Sequence, residues 1–285
     1  MSEGPNAVGT PNEDAFTIDD VKGMDSNLEQ AVQALGLSYK KPVPKLDIFV
    51  IEDFANRFGM LPNTSLQQLH DNYPHRSGNE TISWGEPQWI CGDHFSLLYR
   101  GNTLAREKMW VQDDDPIVHG FRKYLYTGWQ WAVMPATAHV AKVPWLEQFT
   151  ERVNDWLADF GQPRTNHYIV TSYEKEDCGI GMHYDKPATI DPYSVILVVK
   201  MGKCGRPFRI TDNQPNMSDA ELFCEVVKPG DAVLMSMSAN LATKHGVPIL
   251  KQPTDVSGSI VMRTITERVS VERLRKENKK RGRDE

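Results

Sequence analysis

Gly181-Met182-His183-Tyr184-Asp185 lies at the centre of the stretch 173–263, and its reading decides the fold. His183 and Asp185 are two residues apart. On a strand, where side chains alternate between faces, both project to the same side. A neutral imidazole and a carboxylate on one face are two-thirds of the facial ligand set that holds Fe(II) in non-haem oxygenases. A second histidine on a later strand would complete it. His245 fits, within Ala242-Thr243-Lys244-His245-Gly246-Val247-Pro248, after the strand-like run Asp231-Ala232-Val233-Leu234-Met235-Ser236 that the turn Pro229-Gly230 opens. Arg263 follows in the β-branched run Ser259-Ile260-Val261-Met262-Arg263-Thr264-Ile265-Thr266. A guanidinium in such a strand needs an anionic partner once buried, and a cosubstrate carboxylate is the natural one. His-x-Asp alone is common in surface turns. The ordered combination marks a metal site.

Outward from this centre, β-rich segments succeed one another at 167–173, 194–200, 207–211, 223–227, 232–236 and 258–266. Gly, Pro and Asp turns separate them, which predicts a sandwich or jelly roll rather than alternating βαβ units. Ser194-Val195-Ile196-Leu197-Val198-Val199 is almost continuously apolar, as expected of a strand covered on both faces. Upstream, Pro144 opens the clearest helix. Trp145, Leu146, Phe149, Val153, Trp156, Leu157 and Phe160 form its apolar stripe, and Gly161 and Pro163 end it.

Composition narrows the classes. The chain has 285 residues, 40% of them apolar, enough for a sizeable core. No apolar run is long enough for a membrane span, and the start lacks the pattern of a secretory signal. The four cysteines show no CxxC spacing, against a zinc knuckle or a disulfide framework. An intracellular setting, nucleus or cytoplasm, is therefore expected, where Fe(II) would survive. A net charge of −6 argues against a broadly basic nucleic-acid surface.

Residues 1–44 read as a largely disordered N-terminal tail with a short helix, for which Ser26-Asn27-Leu28-Glu29 is a capping box and Gly36 the stop. Whether that helix docks is open. The folded domain is expected over 45–267, with 45–143 as a lid or substrate-recognition region and 144–267 as helix plus core. From Ile82 onward the chain is strongly aromatic, with Trp84, Trp89, Trp110, Tyr124, Tyr126, Trp129 and Trp131. These rings would either stack on a flat substrate or pack an irregular core, the latter being favoured for Trp129 and Trp131. Residues 268–285 form a charged, basic tail. It reads either as a nucleic-acid tether or localisation signal, or as a solvated end of mixed charge.

From about His94 to Thr266 the sequence resembles the AlkB-like Fe(II)/2-oxoglutarate dioxygenases. Tyr99-Arg100-Gly101 with Ala105-Arg106 resembles the segment that opens the family's nucleotide-recognition region, with Ala105 in place of a proline. Tyr124-Leu125-Tyr126-Thr127-Gly128 resembles its Tyr-x-Tyr-Ser-Gly, and the helix at Pro144-Trp145-Leu146 has a counterpart. Tyr173 with Gly181 to Asp185, and Gly230 to Met235 with His245-Gly246-Val247-Pro248, are similar to its metal-binding elements. The family's Asn-x-Tyr becomes Thr171-x-Tyr173, while an Asn-x-Tyr stands earlier at Asn166-His167-Tyr168. The family's last strand reads Arg-x-Asn-x-Thr-x-Arg. Here Arg263 takes the second arginine, and Ser257 and Ser259 take the first arginine and the asparagine.

The resemblance implies an α+β fold, a double-stranded β-helix (jelly-roll) barrel with flanking helices and disordered tails. It implies Fe(II) on His183, Asp185 and His245, with 2-oxoglutarate and O2 as cosubstrates. Arg263 and Tyr173 would anchor 2-oxoglutarate, with Thr171, Asn166 and Tyr168 as further contacts; Arg268 either shares that task or, the favoured reading, begins the exposed tail. Arg106, Trp110, Tyr124 and Tyr126 would meet substrate, a modified or single-stranded nucleic acid. The acidic net charge and the altered last strand keep one alternative alive, the same chemistry on a protein side chain or small metabolite; the intact triad argues against a third, an idle barrel used for binding. Oligomeric state is not readable.

Overall fold

The computed structural model describes residues 21, 27–76, 82–90, 98–99, 102–103, 106–125, 133–174, 178–213, 220–250, 255–270 and 272–273. The expected disorder of 1–20, the residues Ala105, Tyr126, Trp129 and Trp131, and the tail beyond 273 lie outside them.

Ten strands form the larger sheet. Glu107–Gln112, His167–Tyr173, Ser257–Arg263, Val195–Gly202 and Ala232–Ser236 lie side by side in that order, each antiparallel to the next. Ile48–Ile51 and Tyr39–Lys40 extend one edge, and Trp89–Ile90 and His75–Arg76 the other. A second sheet of four strands runs Ile180–His183, Thr243–Val247, Arg206–Asp212, Glu221–Val227. The β-rich segments read from the sequence are thus strands, split between two sheets. Asp231 closes the turn before Ala232–Ser236, its carboxylate accepting from the amides of Asp53 and Lys228.

Period-2 alternation gives the larger sheet two apolar faces. On the outer face Tyr168, Val170, Leu197, Val199, Ile260 and Met262 pack beneath a layer of helices. Pro144–Asp159 contributes Leu146, Phe149, Val153, Trp156 and Leu157 to that layer, the buried part of the stripe read from the sequence. Each such side chain adds roughly 1.5–3 kcal/mol of transfer free energy. The helix Leu28–Ala34 docks there too, burying Leu28, Ala31 and Val32, and Trp156 Nε1 donates to Ala31 O at 3.1 Å. The body therefore begins no later than Leu28 rather than near Lys45. The Asn27 side chain makes no capping bond, and Ser26 is not among the described residues.

The other end shifts likewise. Arg268–Val269 pairs with Phe121–Leu125, Val269 is buried, and Arg268 Nη2 reaches Asp114 at 2.6 Å, so these two residues belong to the body and not to a tail. Among the described residues no helix is long and apolar enough to cross a membrane.

The inner face meets the small sheet. Ile169, Ile196, Val198, Val233 and Met235 share one cluster with Phe208, Ile210, Phe223 and Val247. Strand register lays the inward side chains in transverse rows. Gln112, His167 and Arg263 form one row, and Trp110, Ile169, Val261 and Val198 the next. Lys108, Thr171, Ser259 and Lys200 form a third, and Tyr173, Ser257 and Gly202 a fourth. The first, third and fourth rows are polar, which is unusual between two sheets and marks the space as a site.

Candidate metal centre

His183 ends its strand and pairs in register with His245, and Asp185 follows two residues on. The ligand-type atoms of His183, Asp185 and His245 all lie within 4.8 Å of one another. The three residues predicted as ligands therefore converge. The His183 ring is half-exposed, and its Nδ1 lies 2.8 Å from Gly181 O. Donation through that nitrogen leaves the Nε2 lone pair for a metal. His245 is buried, stacked on Phe208 with ring centroids 5.7 Å apart. Its Nδ1 has no hydrogen-bond partner among the described residues.

Electrostatics set the same protonation states that a divalent cation needs. Burial, reinforced by the neighbouring His183, pushes His245 down to about 3, and burial lowers His183 as well, so both rings stay neutral. Burial by itself would raise Asp185, but the Arg263 guanidinium, with the Tyr124 hydroxyl, outweighs it and holds the carboxyl well below the usual carboxylate range. Arg263 grips Asp185 with Nε at 2.9 Å from Oδ2 and Nη2 at 3.2 Å from Oδ1. Tyr124 donates its hydroxyl to Oδ1 at 2.7 Å and lays its ring 4.4 Å from the Arg263 guanidinium. Asn240 fixes the backbone, donating to Asp185 O and accepting from Asp185 N, each at 2.8 Å.

The remaining predicted residues divide by strand parity. Thr171 and Tyr173 face inward, as a cosubstrate contact requires. Tyr168 faces outward, its hydroxyl donating to Thr165 O, and burial drives it up to about 12. Asn166 clasps the backbone of Ile265 through both side-chain atoms. Neither reaches the site, and both expectations are corrected. Arg268, tied to Asp114, is no second anchor. Trp110 is fully buried in the inter-sheet cluster, so it packs internally and is no outer stacking surface. Arg106 donates to Gly179 O at 2.6 Å and so steadies the approach to the strand that carries His183.

Several residues escaped the sequence reading. His167 stands beside Arg263 in the first row, pushed to about 3 by burial and then by Arg263. Lys200 and Arg206 are wholly buried behind Tyr173. A lysine inside an almost continuous apolar strand was the available signal for Lys200. A second group, His70, His75 and Glu107, stands at the sheet's far edge with hydrogen bonds of its own, His75 to Glu107 at 2.9 Å and His70 to Ser172 at 3.0 Å.

The sequence matches no family model and no curated protein. Among solved structures it is similar to OsALKBH1, with 13% identity and a TM-score of 0.46 over 80% of this chain and 99% of that one. It is also similar to an oxidoreductase of the 2OG-Fe(II) oxygenase family from Burkholderia pseudomallei, with 14% identity and a TM-score of 0.43 over 87% of this chain and 93% of that one.

Proposed function

We propose that this protein is an Fe(II)- and 2-oxoglutarate-dependent oxygenase of AlkB-like type, built on a double-stranded β-helix and oxidising an N-methyl or adjacent C–H group of a modified nucleic acid. The observation that carries this reading is the convergence of His183, Asp185 and His245. Two neutral imidazoles and one ionised carboxylate are the donor set that a non-haem ferrous ion takes. The orphaned His245 Nδ1 fits the same role.

Fe(II) with 2-oxoglutarate and O2 supplies the oxidising chemistry, coupling decarboxylation of the cosubstrate to oxidation of a C–H bond. The chain's own residues prepare the site. Arg263, Tyr124 and Asn240 hold Asp185 in one orientation, and Phe208 and Gly181 do the same for the two rings. Positioned ligands lose little freedom on binding metal, which is how such outer contacts act. Thr171 and Tyr173 line the same inner face, two and three rows along the sheet from Arg263, where a cosubstrate would extend from the metal.

The nucleic-acid reading rests on the ordered motifs around Arg106 and Tyr124 and on the basic residues beyond Arg268. A base lifted from a single strand is the substrate easiest to deliver to a buried site. A succinate-release assay with Fe(II) against methylated oligonucleotides, peptides and small acids tests both parts. Turnover stimulated by methylated single strands, and lost in His245→Ala, is expected. Turnover stimulated only by peptides or small acids would reassign the substrate, and none at all with metal bound would end the oxygenase reading.

A further inference from the structure

The candidate metal centre lies between the two sheets. A second convergence of ligand types lies on the outer face of the larger sheet, and the proposed reaction makes no use of it. Strand parity turns Thr171 and Tyr173 inward and Ser172 outward, and Ser172 pairs with Glu107 on the neighbouring strand. His70 reaches this spot from the last turn of the helix Pro62–Asn72, and His75 reaches it from the edge strand His75–Arg76. Donor atoms of His70, His75 and Glu107 all lie within 4.8 Å of one another. Glu174 Oε1 stands 3.3 Å from His70 Nδ1, a fourth oxygen at the same place.

Both imidazoles are positioned by their neighbours. They lie nearly parallel to the Trp89 ring, with centroids 4.6 Å away for His70 and 6.0 Å for His75, and 5.3 Å from each other. Trp89 is fully buried, and its Nε1 donates to Leu69 O at 3.1 Å, one residue before His70. Ser172 Oγ lies 3.0 Å from His70 Nε2, the kind of outer contact that fixes the ring of a metal-ligating histidine and frees its other nitrogen for the metal. His75 Nδ1 donates to Glu107 Oε2 at 2.9 Å. A divalent ion can take the place of that shared proton, the ring then carrying its proton on Nε2. Two neutral imidazoles and two carboxylates balance the charge of such an ion. Tetrahedral zinc, bonded at about 2.0–2.2 Å, sets its donors roughly 3.4 Å apart, so closing on it asks at most about 1.4 Å of side chains that are not fully buried.

The surrounding strands give such an ion something to do. His75–Arg76 pairs through two residues with Trp89–Ile90, and that strand meets its next neighbour at Ile90 and Lys108. Pairings this short hold little by themselves. An ion here would fasten the sheet edge and the helix Pro62–Asn72 to the strand whose inward residues, Thr171 and Tyr173, line the space between the sheets.

We propose that His70, His75 and Glu107, with Glu174, form a second metal site, a structural clasp for a zinc-class divalent ion on the outer face of the sheet. Imidazole with carboxylate donors suits zinc, and Mn(II), at the low end of the affinity series, is expected at the buried triad only. Such a clasp stands whether or not the triad holds iron.

Zn(II) alone is the probe, titrated by calorimetry and thermal shift into the full chain carrying His245→Ala, in which the buried triad is disabled. One equivalent should bind at micromolar Zn(II) and raise the melting temperature by several degrees. Adding His75→Ala, at an exposed edge position, should weaken Zn(II) at least a hundredfold and remove that rise, while the metal-free melting temperature stays where it was. Adding Glu107→Gln instead, which keeps an acceptor for His75 and removes the charge, should weaken Zn(II) at least tenfold. If His245→Ala binds no Zn(II), or if either added change leaves its Zn(II) affinity as it was, the cluster is a hydrogen-bonded sheet edge and the proposal falls.

Discussion

At one end of the space between the sheets Asp185 lies under Arg263, Tyr124 and Asn240; at the other, Lys200 and Arg206 share the face of Tyr173. The first end is matched in charge and hydrogen-bonded from three sides. The second carries two cations, and among the described residues the groups that act on Lys200 include no carboxylate. Matched groups hold their geometry before anything binds, so the first end suits metal ligation. Lys200 Nζ, without a hydrogen-bond partner among the described residues, is instead buried at a cost in stability.

The largest effect should come from breaking the matched end. Asp185→Ala removes a ligand and strands Arg263 without its carboxylate, and loss of one partner of a buried pair costs about 3–5 kcal/mol. His245→Ala removes a ligand but strands no charge. Chemical denaturation should show the first loss and not the second, while Mn(II) titration should show both variants unable to bind. Equal stability of the two variants would mean that the Arg263 pair contributes nothing to the fold.

Next in size is the pH response of Lys200. Lys200 is lowered in the folded state from 10.5 to about 8. Between those values the unfolded chain binds the proton and the folded chain does not, so stability rises with pH. The gain is on the order of 3 kcal/mol. Arg206 and Tyr173 face Lys200 from two strands and Cys204 from the following turn, while the Asp231 carboxylate is held in its turn by Asp53 and Lys228. Denaturation curves of the ligand-free protein from pH 7.5 to 10.5 should show the rise, and Lys200→Met should abolish it. A flat parent curve would place an unseen anion beside the lysine.

These contrasts explain what the sequence could reveal. The candidate ligands were legible because their residue types are rare in that order; their convergence is tertiary, since His183 ends its strand and Asp185 lies beyond it. The long strands were legible from β-branched runs between turns. Facing was not: every residue of His167–Tyr173 is buried, so no polar alternation told Tyr168 from Tyr173, and the parity came only with the helices on one side. Arg263 was rightly given a carboxylate, but the choice between Asp185 and a cosubstrate is a tertiary fact. Two-residue strands such as Tyr39–Lys40 and Trp89–Ile90 are too short to carry a pattern. Lys200 and Arg206 meet across two sheets, and no spacing announces that.

Arg263→Lys should cost about 2 kcal/mol, since one of two charge-assisted bonds is lost while the charge stays. Mn(II) affinity should fall with it, and 2-oxoglutarate affinity at saturating Mn(II) should move less than threefold. A tenfold loss of 2-oxoglutarate with metal binding unchanged would make Arg263 the cosubstrate anchor and not a positioning residue for Asp185.

The smallest effect is expected for Tyr124→Phe, which separates the ring from the hydroxyl. The ring lies 4.4 Å from the Arg263 guanidinium, and phenylalanine preserves that contact. Only the 2.7 Å hydrogen bond to Asp185 Oδ1 is removed, and Arg263 Nη2 still donates to that oxygen at 3.2 Å. A hydrogen bond to a charged group contributes about 1.5–3 kcal/mol, and a carboxylate that keeps two other donors puts the loss at the low end. Because Asp185 would then turn more freely, Mn(II) affinity should drop about tenfold, the lower limit for an outer contact to a metal ligand. The sequence placed Tyr124 with the substrate, and that alternative makes the opposite forecast. If Tyr124→Phe leaves both stability and Mn(II) affinity untouched but weakens oligonucleotide binding, the hydroxyl serves the substrate, and the matched end is held by Arg263 and Asn240 alone.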